Sequence, residues 1–261
     1  MAMTKVLPVA MTVAGSDSGA GAGIQADLKT FRAMDVFGVS VITCITAQNP
    51  DEVRGVEAIS PELVRLQMAT VCDGFPVAAL KTGMLYSSGI IAAVAAELRN
   101  RRLANVVVDP VMVATSGARL LRDDAVDALR RELLPLATVL TPNLPEAEIL
   151  CGHEIRSPDE QRAAAEEIGR RFNVACVVKG GHAARGDVLD VLYVNGGRED
   201  WSLPRVDRAE THGTGCTFSA AVAGALALGE TLPVAVGRAK MFVTDALRSA
   251  PRVGDHRPLG S

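Results

Sequence analysis

The sequence predicts a three-layer α/β/α fold, with a central, mostly parallel sheet and helices on both faces. Three observations carry this. Strand-like and helix-like segments alternate along the whole chain, which favours right-handed crossovers. Several strand candidates, such as NVVVD and ACVVK, are continuous apolar runs, as befits strands covered on both faces. Polar and glycine-rich motifs follow the strands at their carboxyl ends, where open α/β sheets bind ligands.

The elements follow in order. Residues 8–14 form an apolar run ending at Gly15 and read as a buried strand. Residues 22–36 carry Ile24, Leu28 and Phe31 at helical spacing. Residues 39–47 (VSVITCITA) are rich in β-branched side chains and read as a strand; 53–59 is a short one. Ser60-Pro61 opens a helix, with Ser as N-cap and Pro in the first turn. A strand over 78–83 and a helix over 87–100 follow. Residues 105–109 are a strand stopped by Pro110, then a helix covers 123–134, a strand 138–141 and a short helix 145–150. Residues 158–172 are a helix with Ala164, Ile168 and Phe172 on one face, and 175–179 a strand. Residues 187–204 read as two antiparallel strands around Asn195-Gly196-Gly197. Two helices, 213–228 and 233–249, close the fold. No linker interrupts the pattern, so all 261 residues are expected to form a single domain with a loose tail over 251–261.

Composition narrows the function. Aromatic residues are only 3%, so the core is built from Val, Ala, Leu and Ile. The net charge is −3 without a basic stripe, which argues against a nucleic-acid partner. The apolar stretch near 218–228 is too short and glycine-interrupted to span a membrane. Cys44, Cys72, Cys151, Cys176 and Cys216 are scattered, odd in number and contain no CxxC pair. That pattern argues against a disulfide framework or zinc site and fits a reducing, cytoplasmic setting.

Three groups of residues carry chemistry. The first is THGTGCT (211–217), running into an Ala-rich helix. Glycines at a helix N-terminus let backbone N–H groups converge on an anion, as phosphoryl transfer requires; a bland helix start with small residues is the alternative. The second is GSDSGAGAGIQAD (15–27), whose glycines fall at 15, 19, 21 and 23. The spacing matches neither GxGxxG nor a Walker A loop, which excludes a nicotinamide dehydrogenase signature. Asp27 alone reads as a first-turn carboxylate. The third is a set of polar residues at strand ends: Gln48-Asn49, Lys81-Thr82-Gly83-Met84, Asp109-Pro110-Val111-Met112, Thr141-Pro142-Asn143 with Glu146, and Lys179-Gly180-Gly181-His182. Each alone suits a turn; five at one end of consecutive strands mark a site. His182 and His212 sit beside glycines and read as satisfying loop carbonyls.

GSDSGAGAGIQADLKTF, VITCITAQN, KTGML, VVDPVM, TPNLPEAE, VVKGGH and HGTGCTFSAAVAGAL, in this order across about 9–247, resemble the hydroxymethylpyrimidine/phosphomethylpyrimidine kinases of the ribokinase-like superfamily. The resemblance implies a homodimeric, ATP- and Mg²⁺-dependent enzyme of thiamine biosynthesis. It would phosphorylate 4-amino-5-hydroxymethyl-2-methylpyrimidine and then convert the monophosphate to the diphosphate. By motif, Gly15 and Gln48 would contact the pyrimidine, Met84 and Val111 would line its pocket, and Asp27 would face the substrate. Asn143, Lys179, Thr211 and Thr214 would meet the nucleotide, and Asp109 and Glu146 the magnesium. Gly213, Gly215 and Cys216 would form the anion hole, with Lys179 as a point charge.

Much of the superfamily carries Asp where Cys216 stands. A cysteine at a helix N-terminus is expected to have a lowered pKa and to serve as a base, or else merely to pack. Two departures stand out: Ala20 replaces a common glycine, tolerable if the backbone is not left-handed, and the ending GDHRPLGS is atypical. A pyridoxal-type kinase and a catalytically silent pyrimidine-binding regulator are the alternatives.

Overall fold

The computed structural model describes residues 6–112, 121, 123–181, 186–206 and 212–259. The elements run β1 (Val9–Asp17), α1 (Gly23–Ala33), β2 (Phe37–Gln48), β3 (Val53–Ala58), α2 (Pro61–Gly74), β4 (Val77–Thr82), α3 (Ser88–Arg101) and β5 (Val106–Val108). They continue with α4 (Asp123–Ala128), β6 (Val139–Leu140), α5 (Leu144–Cys151), α6 (Pro158–Phe172), β7 (Ala175–Lys179), β8 (Val188–Val194), β9 (Gly197–Leu203), α7 (Thr214–Ala227) and α8 (Leu232–Ser249).

The strands form one sheet in the order β3-β2-β1-β4-β5-β6-β7-β8-β9. β2-β1-β4-β5-β6-β7 pair in parallel, and antiparallel strands finish both edges. Two apolar layers sandwich the sheet. On one face Val64, Ile90, Val94, Leu133 and Ile168 pack against Met11, Val13, Leu80 and Val108. On the other, Phe31 of α1, Phe218 and Val222 of α7, and Val236 of α8 pack against Ala10, Ala79, Val107 and Val177. The alternation of these strand residues between the layers is the two-residue period of a pleated strand. The fold is thus the three-layer α/β/α architecture that the sequence predicts.

Local chemistry sets the element ends. Ser60 caps α2 by accepting from Leu63 N, with Pro61 in the first turn. Asn195 and Gly196, at φ 51° and 80°, make the two-residue hairpin turn between β8 and β9. The helix expected over 123–134 is α-helical only to Ala128. A π-turn (Leu129–Leu133) and a 3₁₀-turn (Leu134–Leu136) follow, since Pro135 supplies no N–H and crowds the carbonyl one turn earlier. All five cysteines are unbridged; Cys44 and Cys176 are buried, and Cys72, Cys151 and Cys216 are half-buried. Along the tail, Val253 pairs with His256, whose Nε2 lies 3.7 Å from Asp51 Oδ2.

Ala20 adopts φ 58°, the left-handed region, so the condition for tolerating its methyl does not hold. That conformation costs a non-glycine residue about 1–2 kcal/mol, while glycine loses about 0.5–1 kcal/mol more than alanine to unfolded-state entropy. Ala20→Gly is therefore expected to raise the melting temperature slightly, by about 1–3 °C, in calorimetry; a lower melting temperature would contradict this.

Candidate active site

The parallel strands end on one edge of the sheet, and the chain leaves β1 toward β2 on one side and returns to β4 on the other. A cavity of about 430 Å³ opens there. Its floor is built from two glycine-rich segments in contact. After β1, Gly15 sits where the β1–β2 register shifts, and a Cβ there would stand 2.7 Å from Cys44 Sγ. Asp17 then ties the loop together. Its carboxylate accepts from the backbone N–H groups of Gly19 (2.8 Å), Gly21 (3.1 Å) and Ala22 (2.8 Å).

The second segment is the start of α7. Its N-cap Gly213 has φ 83°, and a Cβ on it would lie 1.9 Å from Gly21 O. Only glycine fits that contact. The first helical hydrogen bond runs from Thr217 N to Gly213 O, so Gly215 and Cys216 have no carbonyl to pair with inside the helix. Amides so placed, with the helix dipole behind them, form an anion cradle.

Two buried lysines flank it. Lys179, at the end of β7, donates to Asp109 Oδ1 at 3.1 Å. Burial works against its charge, but Asp109 and Glu146 outweigh that and hold the ammonium protonated, with a raised pKa. Asp109 also accepts from Thr141 Oγ1 and, through its other oxygen, from Ser219 Oγ of α7. Lys81, at the end of β4, makes 2.9 Å contacts to both oxygens of Asp27, and Thr12 Oγ1 donates to Asp27 Oδ2 at 2.5 Å. Here too burial opposes the charge, and Asp27 more than restores it.

Glu146 is the strained carboxylate. Burial pushes it up to about 7, with Asp109 adding to the rise and Lys179 opposing it. The Asn143–Glu146 spacing also has a structural job that the sequence reading passed over. The two form a capping box on α5, each side chain accepting the other's backbone N–H at 2.9 Å.

The cavity unites most of the expected residues: Gly15, Gln48, Met84, Val111, Asp109, Asn143, Glu146, Lys179, Thr214, Gly213, Gly215 and Cys216. Thr211 and His182 lie outside the described residues. Asp27, expected to face the substrate, does not line the cavity: it is fully buried, and its partner Lys81 reaches the wall instead. The reason is that Thr12 and Lys81 satisfy its charge inside the sheet–α1 layer. Cys216 departs from expectation too. Burial pushes its thiol up rather than down, with Lys81 opposing the rise and Gly23 N–H supplying a hydrogen bond.

Sequence reasoning assigned no role to Asp17, although it lies within the glycine-rich motif over 15–27. It set aside His212, whose Nε2 stands 3.4 Å from Asp17 Oδ2 and 3.3 Å from the Gln48 amide. It missed the apolar wall of Val188, Leu203, Pro204, Val206, Val243 and Leu247, which carries no motif because it is assembled from the β8–β9 hairpin and α8.

Removing one member of a fully buried ion pair leaves the other uncompensated, at a cost of about 3–5 kcal/mol. Lys81→Met is therefore expected to lower stability in denaturant unfolding by that amount. Asp27→Asn with Lys81→Met should regain most of it. A Lys81→Met protein as stable as the parent would show that the pair is not buried as described.

The family described as phosphomethylpyrimidine kinase matches residues 17–259. A hydroxymethylpyrimidine/phosphomethylpyrimidine kinase of Rhizobium meliloti is 48% identical, over 94% of this chain and 92% of that one. The thiamine biosynthesis bifunctional protein ThiED of Geobacter sulfurreducens is 46% identical over 95% of this chain, which spans only about half (51%) of that protein's length. Among solved structures, a Bacillus subtilis pyridoxal kinase in complex with ADP superposes with a TM-score of 0.89 at 40% identity, covering 95% of each chain. Matching fold, sequence identity and near-complete coverage converge: the chain belongs to the phosphomethylpyrimidine kinase family.

Proposed function

We propose that the protein transfers the γ-phosphoryl group of ATP to 4-amino-5-hydroxymethyl-2-methylpyrimidine, and then a second one to the monophosphate, in thiamine biosynthesis. The observation that carries this is the glycine contact between the β1 loop and the start of α7, which leaves a backbone cradle between Lys81 and Lys179. Charge spreads over the transferring group's oxygens, so such a cradle with fixed cations lowers the barrier mainly by positioning and electrostatics. The nucleotide would lie along the apolar wall of β8, β9 and α8, with its phosphates at Lys179, Asn143, Thr214 and, by motif, Thr211. The acceptor ring would sit against Gly15, Gln48, Met84 and Val111. Cys216 would take the hydroxymethyl proton; burial raises its thiol, and Lys81 opposes the rise.

Asp109 and Glu146 suit Mg²⁺. They are two buried carboxylates on the cavity wall; burial, with Asp109 adding to it, raises Glu146, and a bound cation would relieve both. When bound, the ion would neutralise phosphate charge. A homodimer is supported by exposed apolar side chains on β2 and α2 (Phe37, Ile45, Leu63, Leu66), and sedimentation tests it. The unbridged cysteines favour a cytoplasmic setting.

The superposition on a pyridoxal kinase supports a second reading, phosphorylation of pyridoxal. A panel of hydroxymethylpyrimidine, its monophosphate and pyridoxal, each with ATP and Mg²⁺, separates the two through ADP release. The pyrimidine and its monophosphate are expected to react fastest; no ADP from any of them would sink the kinase reading, and a silent binding protein would remain. Cys216→Ala is expected to lower kcat by about 10²-fold or more, the range for a lost proton acceptor; an unchanged kcat would leave Cys216 a packing residue. Gln48→Ala should raise KM for the pyrimidine and not for ATP; equal effects would remove its ring-reading role.

A further inference from the structure

At the cavity wall, one hydrogen decides how Gln48 is oriented. His212 Nε2 stands 3.4 Å from Asp17 Oδ2 and 3.3 Å from the amide nitrogen of Gln48. A carboxylate can only accept. Burial pushes Asp17 up, but the His212 hydrogen bond and the amides of Ala22 and Gly19 outweigh it and keep the group ionised. The Nε2 facing it therefore carries the hydrogen, in either charge state of the ring. An Nε2–H has no lone pair for an amide NH₂.

The other end of the amide shows the same conflict. Gln48 Oε1 lies 3.3 Å from Thr46 Oγ1, whose single hydrogen is drawn to Ser16 O at 3.0 Å. A half-turn of the amide, which exchanges oxygen and nitrogen without changing its outline, resolves both ends. The oxygen then accepts from His212, and an N–H donates to Thr46. Along Asp17–His212–Gln48–Thr46–Ser16 every acceptor then faces a donor, with the single Nε2 hydrogen shared between Asp17 Oδ2 and the Gln48 oxygen.

We propose that His212, oriented by Asp17, is a positioning residue that locks the Gln48 amide one way round and thereby sets which heterocycle edge the cavity prefers. The proposal rests on the reading that Gln48 meets the acceptor ring. Once locked, the amide keeps one N–H and one carbonyl lone pair in a fixed order. An aminopyrimidine edge, a ring-nitrogen acceptor beside an exocyclic amine donor, matches only one order. A hydroxypyridine edge presents a hydroxyl that both donates and accepts, so it tolerates either. Loss of the lock therefore penalises the aminopyrimidine selectively.

The test compares His212→Leu and His212→Gln with the parent, using hydroxymethylpyrimidine as substrate and pyridoxal as substrate or competitive inhibitor. His212→Leu is expected to raise KM for the aminopyrimidine about tenfold, the scale of one mismatched ring contact. Its kcat, its KM for ATP and its affinity for pyridoxal should stay near parental values. His212→Gln, whose amide can donate in place of Nε2, should recover most of the loss. Equal effects of His212→Leu on both rings, or no effect, would overturn the lock, as would failure of His212→Gln to rescue. Nitrogen-15 NMR of the ligand-free parent should show the hydrogen on His212 Nε2; a ring carrying it only on Nδ1 would also overturn the lock. If Gln48→Ala leaves the aminopyrimidine KM unchanged, ring reading by Gln48 fails first, a result distinct from all of these.

Discussion

The tightest approach among the described glycines is steric: a methyl on Gly213 would stand 1.9 Å from the carbonyl oxygen of Gly21. Two segments almost two hundred residues apart in sequence meet there without side chains between them. Everything at the site follows from that approach. It sets the start of α7 over the end of β1, between the lysines that close β4 and β7. It also places Cys216 where Gly23 N–H reaches its sulfur. The cost of bringing so much charge indoors is met by pairing: Lys81 with Asp27, and Lys179 with Asp109.

The sheet topology explains why the site lies where it does. β1 is flanked by β2 and β4, so connections diverge from its carboxyl end and leave a crevice. Parallel pairing aligns the carboxyl ends of β1, β2, β4, β5, β6 and β7, and each delivers polar side chains to the same edge. The antiparallel β8–β9 hairpin adds an apolar wall beside the last of them. Polar floor and apolar wall together suit a ligand with a charged end and a flat one.

Much of this was legible in the sequence. Helix α6 and strand β7 fall at the residues that periodicity and β-branching mark, and Asn195-Gly196 gives the hairpin turn from local preference alone. What was not legible depends on partners far away in sequence. Asp27 looked like an ordinary first-turn carboxylate because nothing local reveals Lys81 and Thr12 against it. The Cys216 thiol was expected to drop because a helix start favours the thiolate; burial among other charges reverses the direction. His212 read as a loop histidine until Asp17 and Gln48 were brought to the same nitrogen. The π-turn at Leu129–Leu133 depends on how Pro135 is absorbed, which periodicity does not encode.

The most direct test of the central claim is the steady-state rate of a Gly213→Ala protein, measured with ATP, Mg²⁺ and hydroxymethylpyrimidine alongside its melting curve. If the glycine contact builds the phosphate cradle, kcat/KM should fall by about 10²-fold or more, the loss seen when a preorganised backbone donor is displaced, while a cooperative melting transition persists. A folded Gly213→Ala enzyme with parental kcat/KM would contradict the account.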